Sequence, residues 1–158
     1  MNGDWNQWQP RERATLCFVI RGAEILLIRK KRGLGAGKIN APGGRLEPGE
    51  SAHEAAVRET QEELKVTPLD LEWRGELHFQ FTDGYSLHCA VFFADGCLGE
   101  AVETEEAIPV WTPLERIPFE EMWADDIHWL PGAIEGRTFR GYFHFDGDKM
   151  LTKDVIWE

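Results

Sequence analysis

Short runs of apolar and β-branched residues, separated by polar turns, predict a protein built largely from β-strands. Residues 15–20 and 24–29 are two such runs on either side of Gly22, and they predict a hairpin. Further strands are predicted, in chain order, at residues 69–74, 76–81, 86–93, 108–111, 139–145 and 150–157. Asp83-Gly84 is typical of a tight turn between two of these strands, and the last two runs predict a closing hairpin.

A helix is predicted to begin at Ser51, because Ser51 and Glu54 have the spacing of a capping box. At 100° per residue, one stripe of this helix is expected to pack on the core. The stripe consists of Ala52, Ala56, Val57, Thr60 and, at the end of the helix, Leu64. On the adjoining face, Glu59, Glu62 and Glu63 lie within about 100° of one another and repel. Helix formation does not require this cluster, so it is a candidate functional feature.

A second helix is predicted near the end of the chain. Asp125 or Asp126 is expected to cap it, it reaches about Glu135, and Pro131 lies near its first turn. The resulting order is strands, helix, strands, helix, strands. This order predicts an α+β fold in which a mixed sheet carries helices on its faces.

The 158 residues, 42% hydrophobic and 28% charged, have the size and composition of one folded domain, which excludes wholesale disorder. No apolar run approaches the roughly 18 residues that a membrane span needs. Residues 1–13 lack the pattern of a signal peptide. Cys17, Cys89 and Cys97 form no C-x-x-C motif and cannot all pair, which favours a reducing compartment. We therefore expect a cytoplasmic protein without a membrane partner.

The formal net charge is −11, from 17 basic and 28 acidic residues, and a field of this sign repels nucleic acid polymers. Against this background, ten consecutive positions without an acid hold Arg29, Lys30, Lys31, Arg32 and Lys38. These positions run into a loop, residues 31–49, with six glycines and two prolines, which is too long for a plain connection. Charge alone leaves two readings open: the loop holds a small anion, or it is simply solvated.

The charged residues that follow the glycine pair Gly43-Gly44 indicate a particular chemistry. Adjacent glycines let backbone groups approach a ligand closely. The three helix carboxylates offer hard oxygen ligands that suit Mg²⁺ or Mn²⁺, and the planar fork of Arg58 can orient a carboxylate or contact phosphate. With the basic loop opposite, such a site suits a metal-bound polyphosphate. The indicated reaction class is metal-assisted phosphoryl or nucleotidyl transfer, with water as the acceptor.

The same segment resembles the signature box of the Nudix hydrolases. The matching pattern is Gly44, five residues, Glu50, seven residues, Arg58-Glu59, two residues, Glu62-Glu63. The resemblance implies the Nudix fold, an α/β/α sandwich with a central mixed β-sheet and a loop-helix that binds metal. Two positions depart from the family pattern. Thr60 stands in place of an aliphatic residue, and Lys65 replaces the glycine that ends the helix in a left-handed conformation.

The resemblance also implies roles for individual residues. The implied Mg²⁺ ligands are the carbonyl of Gly43 and the carboxylates of Glu59, Glu62 and Glu63, with Glu106 as a further acid near the metal. Glu50 and Arg58 are implied to brace the loop against the helix, and they complete the implied catalytic set with the three helix glutamates. Glu106 has a second reading, as a solvated loop acid.

Motifs outside the box, at residues 30–33, 35–37, 40, 117–119, 122–123, 125–126 and 139–143, resemble one branch of this family. That branch acts on oxidized purine nucleoside triphosphates. The implied substrate-binding residues are Thr15, Lys30, Asn40, Phe79, Trp123, Asp125 and Asp126. In this reading Lys30 approaches the phosphates, Trp123 stacks on the purine, and the two aspartates share a proton at its edge. Alternatively, one aspartate only caps the helix and Phe79 is core. Three residues depart from the expected pocket: Leu34, Pro42 and His88.

The implied activity is hydrolysis of 8-oxo-dGTP and 2-hydroxy-dATP to the monophosphate and pyrophosphate. This reaction would remove oxidized nucleotides from the nucleotide pool. Mg²⁺ is the implied cofactor, and Mn²⁺ is an alternative. We expect a monomer, with an arm over residues 1–13 and a Nudix domain over residues 14–158. The alternatives are a Nudix hydrolase for methylated or undamaged nucleotides or ADP-ribose, and a non-catalytic Nudix module that binds a ligand or RNA. The complete set of carboxylates argues against the last alternative.

Overall fold

One mixed β-sheet forms the centre of the protein. The computed structural model describes residues 3–158, and within them nine strands belong to this sheet. The nine strands of this sheet are β1 (Glu12–Arg21), β2 (Glu24–Lys30), β3 (Ile39–Asn40), β4 (Gly43–Arg45), β6 (Glu72–Phe81), β7 (Ser86–Asp95), β9 (Ala107–Pro113), β10 (Phe139–Asp146) and β11 (Lys149–Trp157). Two short strands, β5 (Thr67–Pro68) and β8 (Cys97–Leu98), lie outside it. The helices are α1 (Ala52–Leu64) and α2 (Asp126–Ile134), and 3-10 turns form at Gly3–Gln7, Leu114–Arg116 and Phe119–Glu121.

The sheet order is β11-β10-β6-β7-β1-β2-β3, with β4 added to β1 and β9 to β2. The β1–β7 and β6–β10 pairs are parallel, and the other pairs of the sheet are antiparallel, which confirms the predicted mixed sheet. The hairpins β1–β2 and β10–β11 are present as predicted. The remaining strands, β5 and β8, pair only with each other.

The two helices cover opposite faces of the sheet, which gives the predicted α/β/α sandwich. Ala56 and Leu64 of α1 pack in one apolar cluster, which includes Phe92 of β7. Trp129 of α2 packs in the other cluster and stacks on Phe139 of β10 with ring centroids 5.1 Å apart. Neither helix in the described residues combines the length and the apolar character that crossing a bilayer requires.

The prediction of separate strands at residues 69–74 and 76–81 is wrong. One continuous strand, β6, spans the boundary, and its pairing with β7 shifts register between Trp73 and Gly75. A side chain at Gly75 would collide with the ring of Phe139, so the glycine permits close packing at a bulge and does not end the strand.

Helix α1 begins as predicted, with Ser51 accepting from the backbone N–H of Glu54 and Glu54 accepting from that of Ser51. Its buried stripe is rotated from the prediction: Ala55 is fully buried, whereas Val57 is only half-buried. The rotation has a physical reason. The helix packs on the glycine loop as well as on the sheet, and this turns Glu63 inwards.

Helix α2 differs from its prediction at two points. Asp125 occupies the N-cap position, but its side chain accepts from Trp129 Nε1 at 2.8 Å and does not cap the backbone. Pro131 is the sixth residue of the helix, so it lies in the second turn and not near the first. The buried indole of Trp129 is the stronger competitor for the carboxylate, because it has no access to water.

The N-terminal arm contributes two tryptophans that cover part of the sheet face on which α1 packs. Trp8 Nε1 donates to Gln80 Oε1 at 2.9 Å, and the ring of Trp5 lies 5.3 Å from that of Tyr142. The first two residues of the arm predicted over residues 1–13 lie outside the described residues. The tryptophans therefore cover the β6–β10 part of the sheet.

Lys65 ends α1 with φ 62° and ψ 31°, the left-handed conformation that favours glycine. We expect Lys65→Gly to raise the free energy of unfolding by about 0.5–1 kcal/mol, because strain at this position is relieved. Urea unfolding measures the change. Lys65→Ala is the matched control, because it removes the same side chain and keeps the strain. Equal stabilisation by both variants would contradict this explanation.

Candidate active site

Helix α1 and the glycine loop bring three carboxylates to the floor of an open cleft. Glu62 is exposed, Glu59 is half-buried, and Glu63 is only 7% exposed. Glu63 Oε2 accepts from the backbone N–H of Gly43 at 3.2 Å, which ties the helix to the loop. The cleft thus contains the three helix glutamates and the Gly43 backbone, as the sequence predicts.

Both glycines of the loop are required by close approach. A Cβ on Gly43 would collide with the carbonyl oxygen of Thr15, and one on Gly44 would collide with the carboxylate of Glu59. The strand β4 pairs here with β1, with Gly43 opposite Leu16. The missing side chain of Gly43 therefore lets the loop lie close to β1, and that of Gly44 lets the carboxylate of Glu59 lie directly against the loop.

Arg58 is the brace of the cleft. Its Nε and Nη2 donate to the two carboxylate oxygens of Glu50 at 2.7 and 2.9 Å, a bidentate pair. Its Nη1 donates to Glu59 at 2.6 Å and to Glu62 at 3.2 Å, and Nη2 also donates to the carbonyl of Arg45. These bonds lower the pKa of Glu50 to about 2. One guanidinium therefore fixes the loop, the helix and two of the cleft carboxylates together.

The cleft holds more negative charge than its cations offset. Burial, strengthened by repulsion from Glu59, raises the pKa of Glu63 to about 8. Burial also raises the pKa of Glu59, although Arg58 opposes this. Carboxyl groups held this close, with too few cations to offset them all, favour either a proton or a cation. The donor set of hard oxygens suits a small divalent cation such as Mg²⁺ or Mn²⁺.

Lys30 and Glu106 stand at the rim of the cleft. Arg32 Nε donates to Glu106 at 3.1 Å, and its Nη2 also donates to the same oxygen. This pairing lowers the pKa of Glu106, so the side chain stays ionised. The backbone carbonyl of Glu106 accepts from Lys31 at 2.9 Å, which holds β9 against the basic loop. The predicted basic and acidic residues thus meet at one edge.

A narrower pocket of about 120 Å³ opens from the cleft into the α2 side of the sheet. Lys30, Gly43, Gly44 and Glu63 line both cavities, so the two are continuous. The pocket brings together all the predicted substrate-binding residues, which are Thr15, Lys30, Asn40, Phe79, Trp123, Asp125 and Asp126.

The polar end of this pocket is unusual for a protein interior. Asp125 Oδ1, Asp126 Oδ2 and Thr15 Oγ1 are buried and have no hydrogen-bond partner among the described residues. Burial raises the pKa of Asp125 to about 6, and burial with repulsion from Asp125 raises the pKa of Asp126 further above its usual range. Asn40 Oδ1 accepts from the backbone N–H of Ala41, which leaves its amide N–H₂ available as a donor. Buried polar atoms without partners are costly and therefore indicate a ligand site.

Trp123 forms one wall of the pocket. The glycine-rich loop packs closely on Trp123. A side chain at Gly35 would not fit there, because its Cβ would lie 2.8 Å from Trp123 Nε1. Lys38 Nζ lies 5.2 Å from the centre of the indole. The rings of Phe81 and Phe145 pack on the indole in T-shaped arrangements, with ring centroids 6.1 and 5.5 Å from its own. The indole is thus held in place as a flat surface for a planar ligand.

Three residues that depart from the family pattern were expected to line the pocket, and for two of them this expectation is wrong. His88 does not line the pocket; its strand neighbour Leu87 does, and His88 points to the other face of β7 and pairs with Glu76. Pro42 is buried outside the lining and accepts from the backbone N–H of Cys17. Leu34 does lie at the mouth, 49% exposed.

Several apolar residues that line the pocket were not predicted from the sequence. These are Leu16, Ile28, Leu77, Phe81, Leu87 and Cys89. On β6 the sequence does indicate Phe81 as a lining residue. Phe81 lies two residues beyond Phe79, and side chains two residues apart in a strand point to the same face. On β7 the choice between neighbours depends on strand register, which the sequence does not specify.

Known proteins are similar to this chain over most of its length. The profile of the NUDIX domain matches residues 10–132, which include the lining of both cavities. The chain is 40% identical over 147 residues to the oxidized purine nucleoside triphosphate hydrolase of Danio rerio, covering 91% of this chain and 93% of the relative. It is 37% identical over 140 residues to the protein of the same name from Mus musculus, covering 87% and 90%. The crystal structure of the MutT protein of Bacillus halodurans has a TM-score of 0.81 at 28% identity, covering 91% of this chain and 97% of that one.

Proposed function

The chain belongs to the NUDIX domain family, and from this premise we propose that it hydrolyses oxidized purine nucleoside triphosphates. The proposed substrates are 8-oxo-dGTP and 2-hydroxy-dATP, and the products are the nucleoside monophosphate and pyrophosphate. The names of the Danio rerio and Mus musculus relatives support this substrate class. The observation that carries the proposal is a pair of buried carboxyl groups, each with one oxygen that has no hydrogen-bond partner among the described residues, in a pocket that opens directly on the carboxylate cleft.

The polar end of the pocket is suited to read the edge of a purine. Burial raises the pKa of both aspartates, and repulsion from Asp125 raises the pKa of Asp126 further, which favours one proton shared between the two carboxyl groups. One carboxyl then donates through O–H while the other accepts. Moving the shared proton exchanges these roles, so one pocket accepts an oxidized guanine and an oxidized adenine. Asn40 offers its N–H₂ donor from the opposite wall, and Trp123 stacks on the ring.

The cleft is suited to the polyphosphate. The proposed ion is Mg²⁺, with Mn²⁺ as an alternative, held by the carboxylates of Glu59, Glu62 and Glu63 and the carbonyl of Gly43. When bound, the ion neutralises phosphate charge and polarises the phosphorus that water attacks. Lys30, which lines both cavities, is placed to contact the phosphates as they pass from the pocket to the cleft.

In the proposed reaction, water forms a bond to phosphorus and gives up a proton to the solvent, and the bond from that phosphorus to a bridging oxygen breaks, which separates the monophosphate from pyrophosphate. The protein's part is to position these groups. The pocket fixes the base, Lys30 holds the phosphates, and Arg58 with Glu50 keeps the carboxylates of α1 in place against the loop.

Hydrolysis of a substrate panel with Mg²⁺ tests the proposal. The panel holds 8-oxo-dGTP, 2-hydroxy-dATP, O6-methyl-dGTP, the undamaged dNTPs and ADP-ribose, and the products are identified. We expect kcat/KM for an oxidized purine well above that for its parent, with monophosphate and pyrophosphate as products. Equal rates on oxidized and undamaged purines, or turnover only of ADP-ribose, would overturn the proposed substrate class.

The brace formed by Glu50 and Arg58 predicts a metal-dependent phenotype. We expect Glu50→Gln to raise the Mg²⁺ concentration for half-maximal activity about tenfold, because the bidentate pair that orients Arg58 is lost. Glu47→Gln is the matched control. The side chain of Glu47 is 65% exposed, and its ion pair with Arg58 Nε is longer than that of Glu50, at 3.6 Å against 2.7 Å. The same Mg²⁺ requirement in both variants would contradict the positioning role.

A monomeric state, a cytoplasmic location and the division into an arm over residues 1–13 and a domain over residues 14–158 stay predictions. Sedimentation equilibrium tests the first of these directly. A single species of 18.1 kDa is expected, and a concentration-dependent increase in mass would contradict it.

A further inference from the structure

A cluster of metal-ligating side chains lies on the sheet face that carries α1, outside both cavities of the active site. It consists of Glu76 and His78 on β6 and His88 on β7. One ligand atom of each residue lies within 4.8 Å of the other two. His78 and His88 are direct partners across the antiparallel strands, so the backbone of the sheet fixes their relative position.

The hydrogen bond made by His78 leaves one of its ring nitrogens free to bind a metal. Its Nδ1 lies 2.9 Å from the carbonyl oxygen of Gly141. A carbonyl only accepts, so Nδ1 carries the proton and Nε2 of the neutral ring keeps its lone pair. Metal-binding histidines are usually oriented by this kind of hydrogen bond.

His88 and Glu76 supply the other two donors. His88 Nε2 and Glu76 Oε1 lie 2.7 Å apart and share a hydrogen bond, so zinc binding would displace the proton between them and move the two atoms slightly apart. Arg140 is a neighbouring cation that competes with a metal for Glu76: its Nε lies 3.8 Å from Glu76 Oε2. Arg140 is also 3.3 Å from Glu158 and 46% exposed, so it retains a carboxylate partner when Glu76 turns to a metal.

Aromatic side chains enclose the cluster. The imidazole of His78 stacks on Tyr142 with centroids 4.4 Å apart, and the rings of Trp8 and Trp5 lie 5.5 and 6.3 Å from it. An apolar surround of this kind restricts water and strengthens the interaction of a metal with its ligands. All three ligand residues are half-buried, so the cluster is shielded and still accessible to an ion.

We propose that Glu76, His78 and His88 form a zinc-binding site that is separate from the carboxylate cleft. Two imidazoles and one carboxylate are a ligand set of protein-bound Zn²⁺, with water at the fourth position. Imidazole ligands disfavour Mg²⁺, so the two sites select different ions. Bound zinc joins β6 to β7 beneath the tryptophan arm and stabilises this end of the sheet.

Calorimetric titration with Zn²⁺ tests the site. The titration uses the Glu59→Gln/Glu63→Gln background and millimolar Mg²⁺, so that zinc does not bind in the cleft. We expect one equivalent of Zn²⁺ to bind, and His78→Gln and His88→Gln each to weaken binding about tenfold or more. The matched control is His128→Gln, because His128 is exposed on α2, remote in the sequence from the cluster, and should not alter binding.

Thermal unfolding gives a second readout. Zn²⁺ is expected to raise the melting temperature of the background protein and of the His128→Gln variant, but not of the two cluster variants. Circular dichroism checks that each variant is folded. The proposal is overturned if no saturable binding occurs, or if His78→Gln and His88→Gln bind zinc as tightly as the control. Neither result bears on the nucleotide hydrolysis proposed above, which the substrate panel tests separately.

Discussion

The Glu63→Gln variant is expected to lose about three orders of magnitude in metal-dependent turnover and yet to unfold no more easily than the wild type. Glutamine has the same shape and still accepts from the backbone N–H of Gly43, but it carries no charge. A thousandfold loss corresponds to about 4 kcal/mol of transition-state stabilisation. Turnover of 8-oxo-dGTP with saturating Mg²⁺ measures the loss.

The stability of the metal-free protein provides the second half of this prediction. Burial raises the pKa of Glu63 to about 8 in the folded state, from its ordinary value of 4.5. Above pH 4.5 the unfolded chain therefore releases a proton that the folded chain keeps, so stability falls as the pH rises towards 8. Urea unfolding in EDTA should show this fall in the wild type and a weaker one in Glu63→Gln.

The control is Glu72→Gln, which removes an exposed carboxylate of β6 outside both cavities. It should change neither turnover nor the pH dependence of unfolding. Turnover of Glu63→Gln close to that of the wild type would rule out Glu63 as a metal ligand. A large loss of stability would instead indicate that Glu63 serves the fold.

The acidic helix could be predicted from the sequence because its signals are local. The capping box at Ser51 and the spacing of Glu59, Glu62 and Glu63 are fixed by helical geometry alone, and the structure reproduces both. The mixed sheet also followed from the order of the elements, since few topologies fit that order.

The details that the sequence did not predict depend on contacts between distant residues. Gly75 resembles a strand end, and only the ring of Phe139 against it explains why the strand continues. The choice of Leu87 over His88 in the pocket depends on the register of β7 against β6. Asp125 resembles a helix cap until the buried indole of Trp129 is placed beside it.

The Asp126→Ala variant is expected to lose about a hundredfold in kcat/KM for 8-oxo-dGTP, while its free energy of unfolding stays the same or rises. Asp126 Oδ2 is buried and has no partner among residues 3–158, so the carboxyl costs stability that a bound base offsets. Removing it ends the cost and the base contact together. A hundredfold loss corresponds to about 2.7 kcal/mol, within the range for hydrogen bonds to charged groups.

The neighbouring aspartate supplies the comparison that separates recognition from folding. Asp125 accepts from the indole of Trp129, which is fully buried, so Asp125→Ala should lower stability by about 1–3 kcal/mol. Asp125→Asn keeps an acceptor for the indole and should preserve the fold. Steady-state kinetics with 8-oxo-dGTP and dGTP, together with urea unfolding, measure both properties. If Asp126→Ala destabilised the protein and left the preference for the oxidized base unchanged, Asp126 would be a structural residue and the pocket would read the base by other groups.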